Sequence, residues 1–381
     1  MVALRLARVV RPTGASIRHL TWSHPARLYS SVDKVNLPKA PSKEELKTMG
    51  LDEIATKPHE QLAAHLATKM EAVNVLIRER MASRHAPRIP QVTAHLVEAG
   101  GKRLRPMLVL ATADLCGYDG PFDVHLAATV EFIHTATLLH DDVVDESAQR
   151  RGRPTANLLW DNKSSVLVGD YLFARAFQLM VEPGSLRVLD ILSNASATIA
   201  EGEVLQLSAA QDLATTEDIY LQVVRGKTAA LFSAATEVGG VIAGAPEDHV
   251  KALFEYGDAL GIAFQIVDDL LDYQGDVKST GKNVGDDFRE RKLTLPVIKA
   301  VAAASAEERA FWKRTIEKGD QRDGDLEHAL TLMQAHGALE QTRAEALDWA
   351  ARARAAIAVL PDHPVQRMLD NLAGYVVARI S

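Results

Sequence analysis

Residues 131–145 read EFIHTATLLHDDVVD: an apolar run from Phe132 to Leu139, then three aspartates, Asp141, Asp142 and Asp145, in the pattern DDxxD. The pattern recurs in residues 261–272, GIAFQIVDDLLD, where the run from Leu260 to Val267 leads into Asp268, Asp269 and Asp272. In a helix, the first and last aspartates of each motif stand one turn apart, roughly 6 Å along the axis, and project from one face. Six carboxylates beside apolar helix are costly unless their charge is offset. A hard divalent cation is the natural counter-charge. Mg²⁺ takes oxygen ligands octahedrally and is often held by one or two carboxylates, with water and substrate phosphate oxygens completing the shell. One DDxxD alone is more often a solvated acidic face. Two of them, each adjoining apolar helix, favour a pair of facing helices that clamps a polyanion through Mg²⁺.

Outward from these motifs the pattern stays helical. Leu62, Leu66, Met70, Val73 and Ile77 recur at spacings of three and four. The periodicity predicts helices near 60–82, 90–99, 104–116, 122–149, 163–181, 185–208, 216–241, 247–273, 293–304, 306–318, 324–335, 338–359 and 363–380. Glycine and proline clusters separate them, among them Gly100-Gly101, Gly152 to Pro154 and Gly275 to Gly285. No strand with period two and no internal repeat emerges. The expected fold is all-α, a single large helical bundle over residues 60–381, preceded by a linker or arm over 32–59.

The chain has 381 residues, 47% of them hydrophobic and only 5% aromatic, which suits helix packing around a sizeable core. A single cysteine, Cys116, excludes an internal disulfide and a cysteine-rich zinc site. No apolar stretch reaches the length of a membrane span. Residues 1–31 carry Arg5, Arg8, Arg11, Arg18 and Arg27 and no acidic residue. That is the composition of a mitochondrial or plastid transit peptide, and with Arg27-Leu28-Tyr29-Ser30-Ser31, which resembles a mitochondrial processing site, it predicts a protein of the matrix or of the matrix face of the inner membrane. Removing those five arginines takes the formal charge from −7 to −12. Such an acidic protein is a poor nucleic-acid binder.

Basic residues stand where an anion clamp needs them. Gly100-Gly101-Lys102-Arg103-Leu104-Arg105-Pro106 sets three cations at the start of a helix, where phosphate is favoured. Arg150, Arg151 and Arg153 directly follow the first acidic motif, and Lys227, Thr228, Gln265, Lys282 and Lys292 add donors in the second half.

Taken together, GGKRLRP (100–106), EFIHTATLLHDDVVDESAQRRGRPTAN (131–157), GKTAALF (226–232), GIAFQIVDDLLDYQGD (261–276), GKNVGDDF (281–288) and LTLP (293–296) resemble the trans-prenyltransferases of the all-α isoprenyl diphosphate synthase family. The resemblance is strongest to the octaprenyl, solanesyl and decaprenyl enzymes that make quinone side chains. It implies an isoprenoid-synthase bundle with a central active-site cavity. The implied activity is Mg²⁺-dependent condensation of isopentenyl diphosphate onto an allylic primer, farnesyl or geranylgeranyl diphosphate. By resemblance, Asp141, Asp142, Asp145, Asp268, Asp269 and Asp272 hold Mg²⁺. Lys102, Arg105, His134 and Arg151 bind isopentenyl diphosphate, Arg150, Lys227 and Lys282 contact the allylic diphosphate, and Thr228 and Gln265 lie along the developing cation. The family also implies a homodimer, or one subunit of a heteromeric synthase, with transient membrane contact for release of a hydrophobic product.

Short-chain relatives carry bulky aromatics one to two turns before the first motif. Here the positions are Ala136 and Thr137, with Ile133 a turn deeper. Small side chains leave a tunnel open, so a C40–C50 product is expected, for the ubiquinone tail. Geranylgeranyl diphosphate is the alternative product. An HD-type phosphohydrolase, suggested by His140-Asp141, leaves the second DDxxD and GGKRLRP unexplained. Arg291 departs from the family pattern, which tends to have glycine there, and makes the place of Lys292 in the site less secure.

Overall fold

The computed structural model describes residues 58–83, 85–98, 101–150, 152–274 and 284–380. The expected transit peptide, nearly all of the arm, Arg151 and Lys282 lie outside the described residues. In chain order the elements are α1 (Pro58–His65), α2 (Ala67–Met81), α3 (Arg88–Glu98), α4 (Leu104–Leu115), α5 (Phe122–Val144), β1 (Gln149–Arg150), β2 (Arg153–Pro154), α6 (Ala156–Leu159), α7 (Asn162–Val181), α8 (Leu186–Ala209), α9 (Glu217–Val224), α10 (Ala230–Ile242), α11 (Glu247–Gln274), α12 (Asp286–Arg289), α13 (Leu295–Ala303), α14 (Ala306–Trp312), α15 (Asp325–Ala335), α16 (Ala338–Ile357) and α17 (Pro364–Ala378). The expected all-α bundle is what forms.

Its axis is α11, which buries Val250, Leu253, Tyr256, Leu260, Ile262, Ile266 and Val267 around most of its circumference. A helix apolar on so many sides belongs inside a bundle. It packs on α10 and α16, while α5 packs on α4 and α7. Helix starts follow local chemistry. Asp161 Oδ1 accepts the Ser164 amide at 2.6 Å, the Thr216 hydroxyl accepts the Ile219 amide, and Ser305 with Glu308 forms a capping box.

Four features differ from the periodicity. The helix expected over 122–149 stops at Val144, where Glu146 takes a left-handed φ of 50°. Gly152, at φ 75°, then turns the β1–β2 ribbon, which carries Arg150 back beside α5. The helix expected over 60–82 breaks at Leu66. The stretch expected over 216–241 is interrupted at Arg225–Ala229 by a π-turn, and 306–318 ends in another at Lys313–Glu317. At the first π-turn two backbones nearly touch: a Cβ on Gly226 would lie 2.7 Å from the Gly202 Cα. Only glycine at both positions allows α8 so close to the turn that carries Lys227 and Thr228.

Arg291 explains its own departure from the family pattern. Its φ is 59°, the left-handed region that glycine occupies without strain. Arg291→Gly is therefore expected to raise stability by about 0.5–1 kcal/mol, read as a higher denaturant midpoint. Arg291→Val should lower it.

Candidate active site

The two acidic motifs end on one cavity of about 760 Å³, to which α5 contributes Asp145 and α11 contributes Gln265, Asp268, Asp269 and Asp272. Lys227 and Thr228 line it from the π-turn, and Asp287, Arg291 and Lys292 close the far wall. Along α5 the half-buried positions His134, Thr137, Leu138 and Asp141 recur at spacings of three and four, so they form one stripe. Ile133 and Ala136 are fully buried.

Each carboxylate of the first motif has its own surroundings. Asp141 lies 3.9 Å from Lys227 Nζ, which donates to Glu203 Oε2 at 3.0 Å. Asp142 is fully buried, accepts from Arg150 Nε at 2.8 Å through Oδ1, and has Oδ2 buried without a hydrogen-bond partner. Asp145 is exposed at the helix end. Burial pushes the Asp141 carboxyl up to about 7, the Lys227 charge only partly opposing it while Glu203 and Asp145 add to it.

The second motif is knit more tightly. Asp269 is 5% exposed, and both its oxygens are taken: Tyr220 donates to Oδ2 at 2.6 Å and Gln265 Nε2 to Oδ1 at 2.8 Å. Thr228 in turn donates to Gln265 Oε1 at 2.9 Å. Asp272 Oδ2 accepts the Asp287 amide at 3.0 Å, and Asp268 is only half-buried at the cavity wall. Burial first, then the Asp287 charge, pushes the Asp269 carboxyl up to about 8. Burial alone would lower the Lys292 ammonium, but Asp287 and Glu290 outweigh it and hold it above its ordinary value. Lys292 lines the cavity, 3.6 Å from Asp287.

Lys102, Arg105 and His134 do not line this cavity. They form a neighbouring group, in which Arg105 Nη1 meets His134 Nε2 at 3.3 Å, Arg105 lies over the Phe232 ring at 4.5 Å, and Lys102 lies 5.9 Å from the Tyr375 ring centroid. Phe232 stacks obliquely on Phe264, beside Gln265, with centroids 5.8 Å apart. Phe232 therefore touches Arg105 on one side and Phe264, the neighbour of the cavity residue Gln265, on the other. Arg103, at a left-handed φ of 48°, pairs with buried Glu131, three residues before His134 on α5. That ion pair ties the basic turn to the helix of the first motif.

Reading motifs alone misses three site residues. Asp287 stands in GKNVGDDF, where its acidity beside glycine was the available signal. Glu203 and Tyr220 sit within ordinary helix and carry no local signal at all.

The donor set fits a hard cation. It consists of carboxylates alone, one with an orphaned buried oxygen and two with protonation favoured by burial, which marks negative charge awaiting compensation. Among the described residues no three His, Cys, Asp or Glu side chains form a ready-made metal group. Such an arrangement suits an ion whose shell is completed by substrate phosphate and water.

Linkage gives a test without substrate. Asp141 and Asp269 ionise at about 7 and about 8 in the fold, against an ordinary 3.8. Their folded values are raised, so the folded chain holds more protons than the unfolded chain between these limits. Their contribution to stability is fully present below about pH 4 and is lost as pH rises through 7 and 8. Metal-free protein in a chelator should therefore lose on the order of 4 kcal/mol between pH 6 and pH 9, seen as a falling denaturation midpoint. A flat profile would remove the case for uncompensated charge.

The polyprenyl synthetase family model matches residues 86–333. The chain is 48% identical over 313 residues to octaprenyl diphosphate synthase of Escherichia coli (strain K12), spanning 82% of this chain and 96% of that one. A crystal structure of a decaprenyl diphosphate synthase from Rhodobacter capsulatus matches with a TM-score of 0.83 and 76% identity, over 85% of this chain and all of that one. A polyprenyl synthase from Caulobacter crescentus CB15, complexed with calcium and isoprenyl diphosphate, matches with a TM-score of 0.80 and 48% identity, over 84% of this chain and 97% of that one. With paired acidic motifs meeting on one cavity and a basic group beside it, the chain belongs to the polyprenyl synthetase family.

Proposed function

We infer that the chain is a long-chain trans-polyprenyl diphosphate synthase, adding isopentenyl diphosphate repeatedly to an allylic primer to reach C40–C50. The observation that carries this reading is the convergence of Asp145, Asp268, Asp272 and Lys227 on one cavity, with Arg105 paired to His134 and stacked on Phe232. The similar octaprenyl and decaprenyl enzymes support the chain length.

Each group then has a task. Asp141, Asp145 and Asp268 would hold Mg²⁺, and the calcium and isoprenyl diphosphate complex of the Caulobacter relative supports the use of a divalent ion. When bound, Mg²⁺ neutralises the diphosphate that leaves as the allylic C–O bond breaks. Lys227, freed from Glu203, adds its charge to that leaving group. The Thr228 and Gln265 oxygens turn their dipoles toward the carbocation. Lys102, Arg105 and His134 would hold isopentenyl diphosphate with its alkene facing the allylic carbon. The alkene attacks, a proton is lost, and the released diphosphate is a suitable acceptor for it. Phe232 and Phe264 keep water from the cation.

Three finer points extend the proposal. A homodimer is supported by apolar side chains left exposed on α7 and α8, Leu167 at 67% and Val204 at 64% among them. Sedimentation as a monomer at micromolar concentration would contradict it. Residues 1–31 support mitochondrial import and a role in making the ubiquinone tail. Failure of those residues to carry a fluorescent protein into mitochondria would contradict that. Among the described residues no helix is long and apolar enough to cross a membrane, so contact with the bilayer would be transient, for product release.

The function is tested by incubating a chain starting at Ser31 with farnesyl diphosphate, labelled isopentenyl diphosphate and Mg²⁺, then sizing dephosphorylated products by mass spectrometry. Products of C40–C50 are expected. A C20 product would replace this reading with a geranylgeranyl diphosphate synthase, and no product from folded protein would point to a wrong assignment of the two acidic motifs or to a missing second subunit.

A further inference from the structure

We propose that Tyr220 is a positioning residue for the prenyl-transfer step, acting through Asp269 on the side chains that face the carbocation. Its hydroxyl donates to Asp269 Oδ2 at 2.6 Å, in a setting where the tyrosine is only 6% exposed. The same carboxylate takes Gln265 Nε2 on its other oxygen at 2.8 Å, and Gln265 Oε1 takes the Thr228 hydroxyl at 2.9 Å. The four side chains form one directed chain, Tyr220 to Asp269 to Gln265 to Thr228. Its directions follow for the ionised Asp269, whose carboxylate only accepts: the Gln265 amide then turns its NH₂ toward Asp269 and its oxygen toward Thr228. Without Tyr220, Asp269 is held from one side only, and the rotamer of Gln265 is no longer dictated.

The backing of Tyr220 is rigid. Glu217, one turn earlier on α9, accepts from Lys299 Nζ at 2.8 Å, and the same ammonium meets Glu345 of α16 at 3.0 Å. Lys299 is therefore a three-helix tie between α9, α13 and α16, set directly behind the tyrosine. A buried hydroxyl aimed at a buried carboxylate, on a helix pinned from behind, is the arrangement that holds a site group to a fraction of an ångström. Tyr220 lines the cavity, but its hydroxyl is committed to Asp269 rather than turned to a substrate.

This inference rests on the synthase reading, so the unsubstituted chain is assayed alongside. Absence of prenyl product there is a failure of the synthase reading. Tyr220→Phe keeps the ring and its volume and removes only the donor. It is expected to lower kcat about tenfold while leaving KM for both diphosphates within threefold, because no substrate contact is lost. In a chain already carrying Asp269→Asn, the same change should cost less than twofold, since the group through which Tyr220 acts is gone. A merely structural tyrosine would lower kcat by the same factor in both backgrounds, or leave kcat unchanged while lowering Tm; either result overturns the proposal. Should Tyr220→Phe fold only together with Asp269→Asn, the comparison of Asp269→Asn with the double variant decides. Equal kcat in those two chains upholds the coupling, and a further drop of fivefold or more overturns it.

Discussion

Asp141→Asn and Asp268→Asn should each lower kcat by about 10²–10³-fold, the loss of about 3–4 kcal/mol of transition-state stabilisation. Asparagine preserves shape and removes the charge that an ion needs. In both motifs the change falls on a half-buried position, 141 on α5 beside the cavity residue Lys227 and 268 on α11 at the cavity wall. The stability of the metal-free Asp141→Asn chain should move the other way. Burial already makes the Asp141 charge unfavourable in the fold, with its carboxyl pushed up to about 7, so a neutral amide should raise the midpoint at pH 8. A lower kcat joined to a higher midpoint is the signature of a functional group kept at a cost in stability. Wild-type turnover in either variant, measured by diphosphate release at saturating Mg²⁺, would remove that residue from the metal clamp.

Thr137→Phe should shorten the product from C40–C50 to about C15–C20. The expectation comes from the wheel of α5. Thr137 shares the half-buried stripe with His134 and Asp141, whereas Ala136 is turned about 100° away and is fully buried. Both small residues were candidates for leaving the tunnel open; the stripe favours Thr137 as the one beside the growing chain. A phenylalanine there would stand one turn below Asp141 and block the path of the tail. Turnover of the first condensation should fall less than tenfold, because the diphosphate contacts are untouched. Mass spectrometry of the dephosphorylated products reads the outcome. An unchanged product length would place the tunnel on another face of the helix.

Much of this was legible in the chain, for reasons that differ residue by residue. The acidic motifs are legible because the four-residue spacing occurs twice, each time beside an apolar run, which favours facing carboxylate helices over a solvated acidic face. The basic run at 100–106 was legible as charge, but its grouping with His134 depends on how α4 crosses α5. The π-turn at Arg225–Ala229 was not legible. Its only trace is Gly226, whose meaning rests on Gly202 lying opposite, on another helix. The end of α5 at Val144 is not legible because no glycine or proline stands between Val144 and Gly152, while the turn is set by Glu146 and Gly152. Tyr220 reaches Asp269 across 49 positions of sequence, and no local pattern encodes such a meeting. Arg291 was noticed as an oddity, and its left-handed φ supplies the physical reason that glycine suits the position.

The central claim is that both acidic motifs hold divalent metal against one diphosphate. The most direct measurement is a crystal structure of the chain with Mn²⁺ and an unreactive thio-analogue of farnesyl diphosphate, with the metals located by anomalous scattering. Metal peaks bridging the diphosphate to Asp141 and Asp145 on one side and to Asp268 on the other are the predicted result. A diphosphate bound with no metal at either motif, or metal at one motif only, would contradict the account.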